Sequence, residues 1–472
     1  MYDKPPLPEI TQEDWDATPP AIRAVVVALL ARIADLEARL NQHSGNSSKP
    51  PSSDPPDAPS KPPRTPRGKP RTRGGQPGHE GQSRDLVPPE QVNEIVAHHP
   101  TECPHCQAAL PADLPDAAPI YRHQVYEIPP IEPHITEHQV HTVCCPQCAK
   151  TVRADLPDED CAGYGPHATT LASILHGRYR MSTRETSEAL DDLFGVPMSP
   201  ASVVTSCERV SEALEPVYEE VAQALPQQPV ANVDETGWKQ ENTRHWLWVV
   251  VTPLVTLFHI NRSRGGKVWQ ALLGAAFNGI LGSDRLSAYN RYPSEWRQLC
   301  WAHLQRNLRA IEERRGEEGA WASEVLAWVQ VMFHIWHTYR EGTIDRETMA
   351  LALEPVKDAI WACLLRGKDV PWPKARALSE DLMRLWDGLW VFVTVEGVEP
   401  TNNAAEQALR PAVLWRKGSF GTQSEAGSRF VERILTVRET CRRQGRSLRA
   451  FVMEAVAAHR AGRPAPKLVP TP

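Results

Sequence analysis

Residues 229–260, PVANVDETGWKQENTRHWLWVVVTPLVTLFHI, decide the fold. PVANVDE, HWLWVVV and LVTLFHI are rich in β-branched and aromatic residues, and they are divided by the polar turn KQENTR and by Thr252-Pro253. Three sequential strands with short turns make an antiparallel meander. Downstream, KVWQALLG reads as a helix, NGILGSD as a fourth strand, and QLCWAHLQRNLRAIEERR as a fifth strand running into a helix. A meander followed by strand–helix alternation is the order of an α/β, ribonuclease-H-like domain with a mixed sheet.

Three acids occupy informative places in that order. Asp234 lies on the first strand and Asp284 at the end of the fourth, beside it. Residues from about 301 to 395 are apolar-periodic and read as a helical insertion, beyond which Glu406 sits on a helix opened by Thr401-Asn402-Asn403. Carboxylates so placed can share hard cations such as Mg²⁺ or Mn²⁺, which prefer oxygen ligands, and a two-metal site suits in-line displacement at phosphorus. Each acid also has a plainer reading. Glu235 competes with Asp234, Ser283 and Asp284 are common helix caps, and Asn403-x-x-Glu406 has the spacing of a capping box. Arg410 shares a helix face with Glu406, and Arg416 and Lys417 follow Pro411, which is expected to kink or end the helix. These cations suit either substrate phosphates or surface acids. Cys300-Trp-Ala-His303 has the spacing of half a zinc site and reads as structural, near the sheet end.

Upstream, composition changes along the chain. Ile22, Val26, Leu29, Ile33, Leu36 and Leu40 form the a/d seam of a short coiled coil, which predicts self-association. Residues 44–78 are rich in Pro, Ser and Gly and read as a mobile linker. Its basic half, with Arg64, Arg67, Lys69, Arg71 and Arg73, suits phosphates or a minor groove. Cys103-Pro-His-Cys106 and Cys145-Pro-Gln-Cys148 flank the strand-like stretches HQVYEIP and ITEHQVHTV. Two such turns complete a closed tetrahedral Zn²⁺ site. From about 167 to 222 the pattern is helical, and a turn through Gly195 and Pro197 followed by a helix capped by Ser199 describes a helix-turn-helix.

With 472 residues the chain has room for several domains of about 150 residues. Fourteen of its 15 Trp lie at or after Trp238, which places the largest core in the C-terminal half. The net charge of −6 is not that of a nucleic-acid binder until it is resolved locally: residues 61–73 carry six Lys or Arg and no acid. No apolar run approaches the roughly 20 residues of a membrane span. The opening MYDKPPLPEITQEDWD lacks the features of a secretory signal, and the cysteine pattern favours a reducing cytoplasm.

Several strings in fixed order carry a resemblance: NSSKPPSSD with GGQPGHEG, the two CPxC knuckles, VDETGW, LGSDRLSAYN, CWAHLQRNL, NNAAEQALRP and RKGSFGTQSEAG. Across nearly its whole length the chain resembles the large, TnpC-type transposase of the insertion-sequence-66 family. The resemblance implies a DDE transposase in which Asp234, Asp284 and Glu406 bind two Mg²⁺, the knuckles bind zinc, and the segment near 167–222 is a DNA-binding helix-turn-helix. It implies DNA ends and target DNA as partners, a homo-oligomer, and accessory proteins encoded by the same element. The expected organisation is a coiled-coil helix over 1–43, a basic linker over 44–90, a zinc domain over 91–160, the helix-turn-helix over 161–226, the catalytic domain over 227–425, and C-terminal helices with a disordered tail over 426–472. The alternative from another class is a non-enzymatic, zinc-dependent DNA-binding regulator.

Overall fold

The computed structural model describes residue 17 and residues 84–110, 121–157, 161–314 and 316–469. The coiled-coil seam and the cations Arg64, Arg67, Lys69, Arg71 and Arg73 lie outside the described residues. The chain divides into two compact units, residues 63–132 and the remainder.

In the smaller unit the first CPxC turn is closed by a bridge between Glu102 and Ala109. HQVYEIP is not a strand there; in the larger unit only the end of ITEHQVHTV enters one, β1 (Thr142–Cys144), paired antiparallel with β2 (Thr151–Arg153). The β-favouring residues of these stretches are mostly exposed, with Val125 at 81% and Ile135 at 84%. Without a ladder or a core to join, propensity alone forms no strand.

In the larger unit, three helices precede the main sheet: α1 (Pro166–Gly177), α2 (Thr183–Phe194) and α3 (Pro200–Ala224). Ser182 and Glu185 close a capping box on α2, Gly195 ends it at a left-handed φ of 61°, and the Ser199 side chain caps α3. The helical hairpin is therefore present. Its outward residues, however, include Glu188, Asp191, Asp192, Glu208, Glu212, Glu215 and Glu219, the wrong sign for phosphate. The inner face of α3 packs Val203, Val210, Leu214 and Val217 into the main core.

The meander follows as β3 (Val230–Gln240), β4 (Thr243–Val251) and β5 (Thr256–Asn261); then come α4 (Gly266–Leu273), β6 (Ile280–Ser283) and β7 (Arg297–Leu299). The five strands lie in the order β5-β4-β3-β6-β7, antiparallel through the meander and parallel from β3 onward. Gly282 of β6 lies against the Asn232 side chain of β3, where a Cβ would meet Asn232 Oδ1 at 2.2 Å and oblige that side chain to turn.

Beyond the sheet, α5 (Trp301–Glu312), α6 (Gly316–Arg340), α7 (Arg346–Gly367), α8 (Pro373–Arg384) and the short α9 (Val391–Thr394) build a second core around Trp301, Trp321, Trp336, Trp390 and Phe392. This helical insertion is tied to the sheet by Gln298 of β7, whose side chain accepts from Phe392 N–H at 2.8 Å. It ends where Trp301 N–H donates to Pro400 O at 2.9 Å, returning the chain to the sheet.

Helix α10 (Asn403–Ser419) then runs without a break through Pro411. The expected interruption does not occur: Ala408, Ala412 and Trp415 are buried on both sides of the proline, and that packing offsets the lost backbone bond. Helix α11 (Glu425–Arg443) covers the edge strand β5. Glu432, Thr436 and Thr440 accept the N–H groups of Ile260, Phe258 and Thr256. Four helical residues rise about 6 Å and two strand residues about 6.6 Å, so the two periods match closely enough to satisfy an edge. After α12 (Leu448–Arg460), the tail expected to be disordered is held. Leu468 is fully buried, its N–H donates to Glu220, and its carbonyl accepts from Gln444. A proline-rich segment has no periodicity to announce such packing.

Candidate active site

Continuing the parallel register of β3 and β6, in which Asn232 faces Gly282, sets Asp234 opposite Asp284 two residues on. Asp234 and Glu235, adjacent in sequence, face different surroundings because strand side chains alternate. Both oxygens of buried Glu235 are engaged: Arg264 pairs with Oε1 at 2.8 Å and Tyr289 Oη donates to Oε2 at 2.8 Å. Asp234 Oδ1 accepts only from the adjoining Glu235 N–H, and no Lys, Arg or His among the described residues pairs with it. Burial, then the like charges of Glu235, Asp284 and Glu406, push the Asp234 carboxyl well above the usual range.

The loop after β6 is built around buried Arg297. Its Nε donates to Ser283 Oγ at 2.8 Å and its Nη2 to Asp284 O at 2.6 Å, which leaves the Asp284 side chain to accept from Leu286 N–H at 2.9 Å. Burial lowers the Arg297 guanidinium to about 10, still charged at neutral pH. Asp284 therefore closes a local turn and caps no regular helix.

Glu406 arrives from α10, and the capping box does not form: the N-cap is Asn402, with no side-chain capping bond. Instead Asn402 Nδ2 donates to Val233 O at 2.8 Å, and Asn402 N–H donates to Cys300 Sγ at 3.1 Å. One asparagine thereby joins the start of α10 to the strand of Asp234 and to the start of α5. Glu406 Oε1 meets His303 Nδ1 at 3.3 Å and Arg306 Nη2 at 2.9 Å, both on α5. Burial, then the Arg306 charge, lower the His303 imidazole from its ordinary value.

The charges of Asp284 and Glu406 thus reach Asp234 although the three acids are distant in sequence. The fit to hard cations rests on one feature: like charges crowd around an Asp234 carboxylate that has no cationic partner among the described residues, and an added cation would remove that cost.

The remaining sequence-derived residues are placed elsewhere. Arg410 and Lys417 are exposed on α10. Arg416 bonds to Thr236 Oγ1 and Gly237 O, and so fastens α10 to β3. Cys103 and Cys106 lie in the smaller unit, Cys145 and Cys148 in the larger. Each turn has the same local build, with Gln107 and Ala149 left-handed after the second cysteine. Backbone N–H groups two and three residues on point at the Cys103 and Cys145 sulfurs and lower both thiols. Reading the sequence did not single out Asn402, Arg297 or Arg306. The only advance signal was the polar pair Asn402-Asn403 ahead of the helix.

The sequence profile described as the transposase IS66 family matches residues 164–429, and that of a family of unknown function matches residues 3–85. The uncharacterized protein y4qI of Sinorhizobium fredii is 26% identical over 231 residues, 43% of this chain and 42% of that protein. The uncharacterized protein y4hP of the same organism is 24% identical over 329 residues, 61% of this chain and 58% of that protein. The chain spans about half the length of these relatives.

Proposed function

The chain belongs to the IS66 family of transposases, and from that premise we propose that it binds the inverted-repeat ends of its element and catalyses metal-dependent DNA cleavage and strand transfer at Asp234, Asp284 and Glu406. The observation that carries this reading is that the charges of Asp284, after β6, and Glu406, on α10, act on a buried Asp234 of β3 that lacks a cationic partner among the described residues. We read the sheet as ribonuclease-H-like on its strand order. Two Mg²⁺ or Mn²⁺ bound there would activate a water or 3′-hydroxyl and stabilise the leaving oxygen.

The protein's own part is to fix the ligands. Arg297 sets the Asp284 loop, Asn402 sets the start of α10, and Arg306 orients Glu406. Exposed Arg410 and Lys417 on the helix of Glu406 suit flanking phosphates, together with the linker cations Arg64, Arg67, Lys69, Arg71 and Arg73. In the helical hairpin, the later turns of α3 are acidic, which leaves its exposed first turn, Ala201, Val204 and Thr205, for base edges. The thiolates of Cys103 and Cys106, and those of Cys145 and Cys148, suit Zn²⁺. No helix among the described residues is long and apolar enough to cross a membrane. A cytoplasmic homo-oligomer working with element-encoded accessory proteins is the setting we infer.

The test is nicking and joining of a plasmid carrying the element's ends, with Mg²⁺ or Mn²⁺, comparing Asp234→Ala, Asp284→Ala and Glu406→Ala. Loss in each is expected. Undiminished activity in all three would sink the assignment, and end binding without any cleavage by the native chain would instead favour a DNA-binding regulator.

A further inference from the structure

We propose that Cys300, His303 and Glu406 form a thiophilic metal site for Zn²⁺ that shares Glu406 with the three-carboxylate site. The sulfur, imidazole nitrogen and carboxylate oxygen all lie within 4.8 Å of one another. Two ligand atoms bound at about 2.0–2.1 Å at a tetrahedral angle lie roughly 3.3 Å apart, and His303 Nδ1 and Glu406 Oε1 are 3.3 Å apart. The donor set is sulfur, nitrogen and oxygen, which suits Zn²⁺ and discriminates against Mg²⁺.

The local backbone supports the same reading. Cys300 is the N-cap of α5, its sulfur accepts from Asn402 N–H at 3.1 Å, and its carbonyl accepts from His303 N–H at 3.1 Å, which holds the two candidate ligands in one turn. On binding, the thiol proton leaves to solvent, to which the half-buried His303 and Glu406 give access. Arg306 shares Glu406 Oε1 at 2.9 Å, and a carboxylate has a second oxygen to which the guanidinium can move. The consequence rests on the proposed role of Glu406: Zn²⁺ held here withdraws that carboxylate from Asp234 and Asp284 and stops strand transfer.

The experiment is a zinc count on the purified full chain, native, Cys300→Ser and His303→Ala, with folding followed by circular dichroism. Each variant is expected to hold one equivalent fewer than the native chain. Retention of the native count by a folded variant overturns the site, and His303→Ala, at a half-buried position, carries the count if the serine variant unfolds. In a parallel assay, Zn²⁺ is expected to inhibit Mg²⁺-dependent strand transfer. His303→Ala should raise the concentration needed by at least about tenfold, the scale of losing support to a bound metal. Unchanged inhibition despite the lost equivalent overturns the sharing of Glu406. A chain that transfers no strands under any condition overturns the proposed function and leaves the zinc count readable.

Discussion

Asn402 Nδ2 donates to the carbonyl of Val233 at 2.8 Å, across 169 residues of sequence, and so holds the helix of Glu406 against the strand of Asp234. Removing the donor leaves a buried carbonyl unsatisfied, which costs about 1–3 kcal/mol. Asn402→Ala should lower stability in chemical denaturation by that amount. It should reduce metal-dependent nicking more than Arg410→Ala does, because it displaces a ligand-bearing helix and leaves the surface charge unchanged.

Asp234 makes the metal-free site self-repelling. Its carboxyl is raised in the folded state, so the stability it contributes is present at low pH and is lost as pH rises above the ordinary value of 3.8. Asp234→Asn should therefore melt higher than the native chain at pH 7 in EDTA, with the difference vanishing near pH 3.8. Added Mg²⁺ should stabilise the native chain, by about 2.7 kcal/mol at a hundred times its dissociation constant, and leave the variant unmoved. Differential scanning fluorimetry reads both effects.

Glu432 gives a separate pH signature, far from the acids. Burial raises its carboxyl from 4.5 to about 7 while Oε1 accepts the Ile260 N–H. The folded state thus holds the proton more tightly, and stability from this group falls as pH rises from 4.5 to 7. The destabilisation caused by Glu432→Gln should accordingly shrink across that window. His259 contributes the opposite slope, since burial, then the Arg429 charge, lower it to about 4, so the native-minus-variant difference is the quantity to measure.

Gly282 faces the Asn232 side chain, and a Cβ there would press on Asn232 Oδ1 at 2.2 Å between two paired strands. Gly282→Ala should cost about 1–3 kcal/mol through overpacking. Urea denaturation of Gly282→Ala alongside Gly397→Ala, whose glycine has no atom within 4 Å of an added Cβ, checks whether the contact is responsible. Gly397 has a φ of 78°, so its cost comes from backbone conformation.

Cys106→Ser and Cys148→Ser should each lower the zinc content of the purified full chain, read by metal analysis. A native zinc count in both folded variants would refute thiolate ligation at the CPxC turns.

The strands of the meander, the helix between β5 and β6, and the insertion before α10 were all legible in residue patterns. Alternation and helical periodicity are local properties, and in PVANVDE, HWLWVVV and KVWQALLG they agree with the burial that the tertiary structure imposes. HQVYEIP shows the converse, because its β-favouring residues found no ladder among the described residues. Pro411 and the tail at Leu468 likewise departed from local expectation once packing outweighed it.

The chemistry of the site was divided in the same way. Sequence by itself determined which acids could serve and on which kinds of element they lie, since residue type and periodicity need no partner. Only the tertiary structure placed Arg264 and Tyr289 on Glu235, leaving Asp234 without a cationic partner among the described residues, and only it brought His303 and Arg306 to Glu406. The reason is physical: a carboxylate's role depends on what faces it, and here the facing groups come from segments about thirty to a hundred residues away that meet only when both cores have formed.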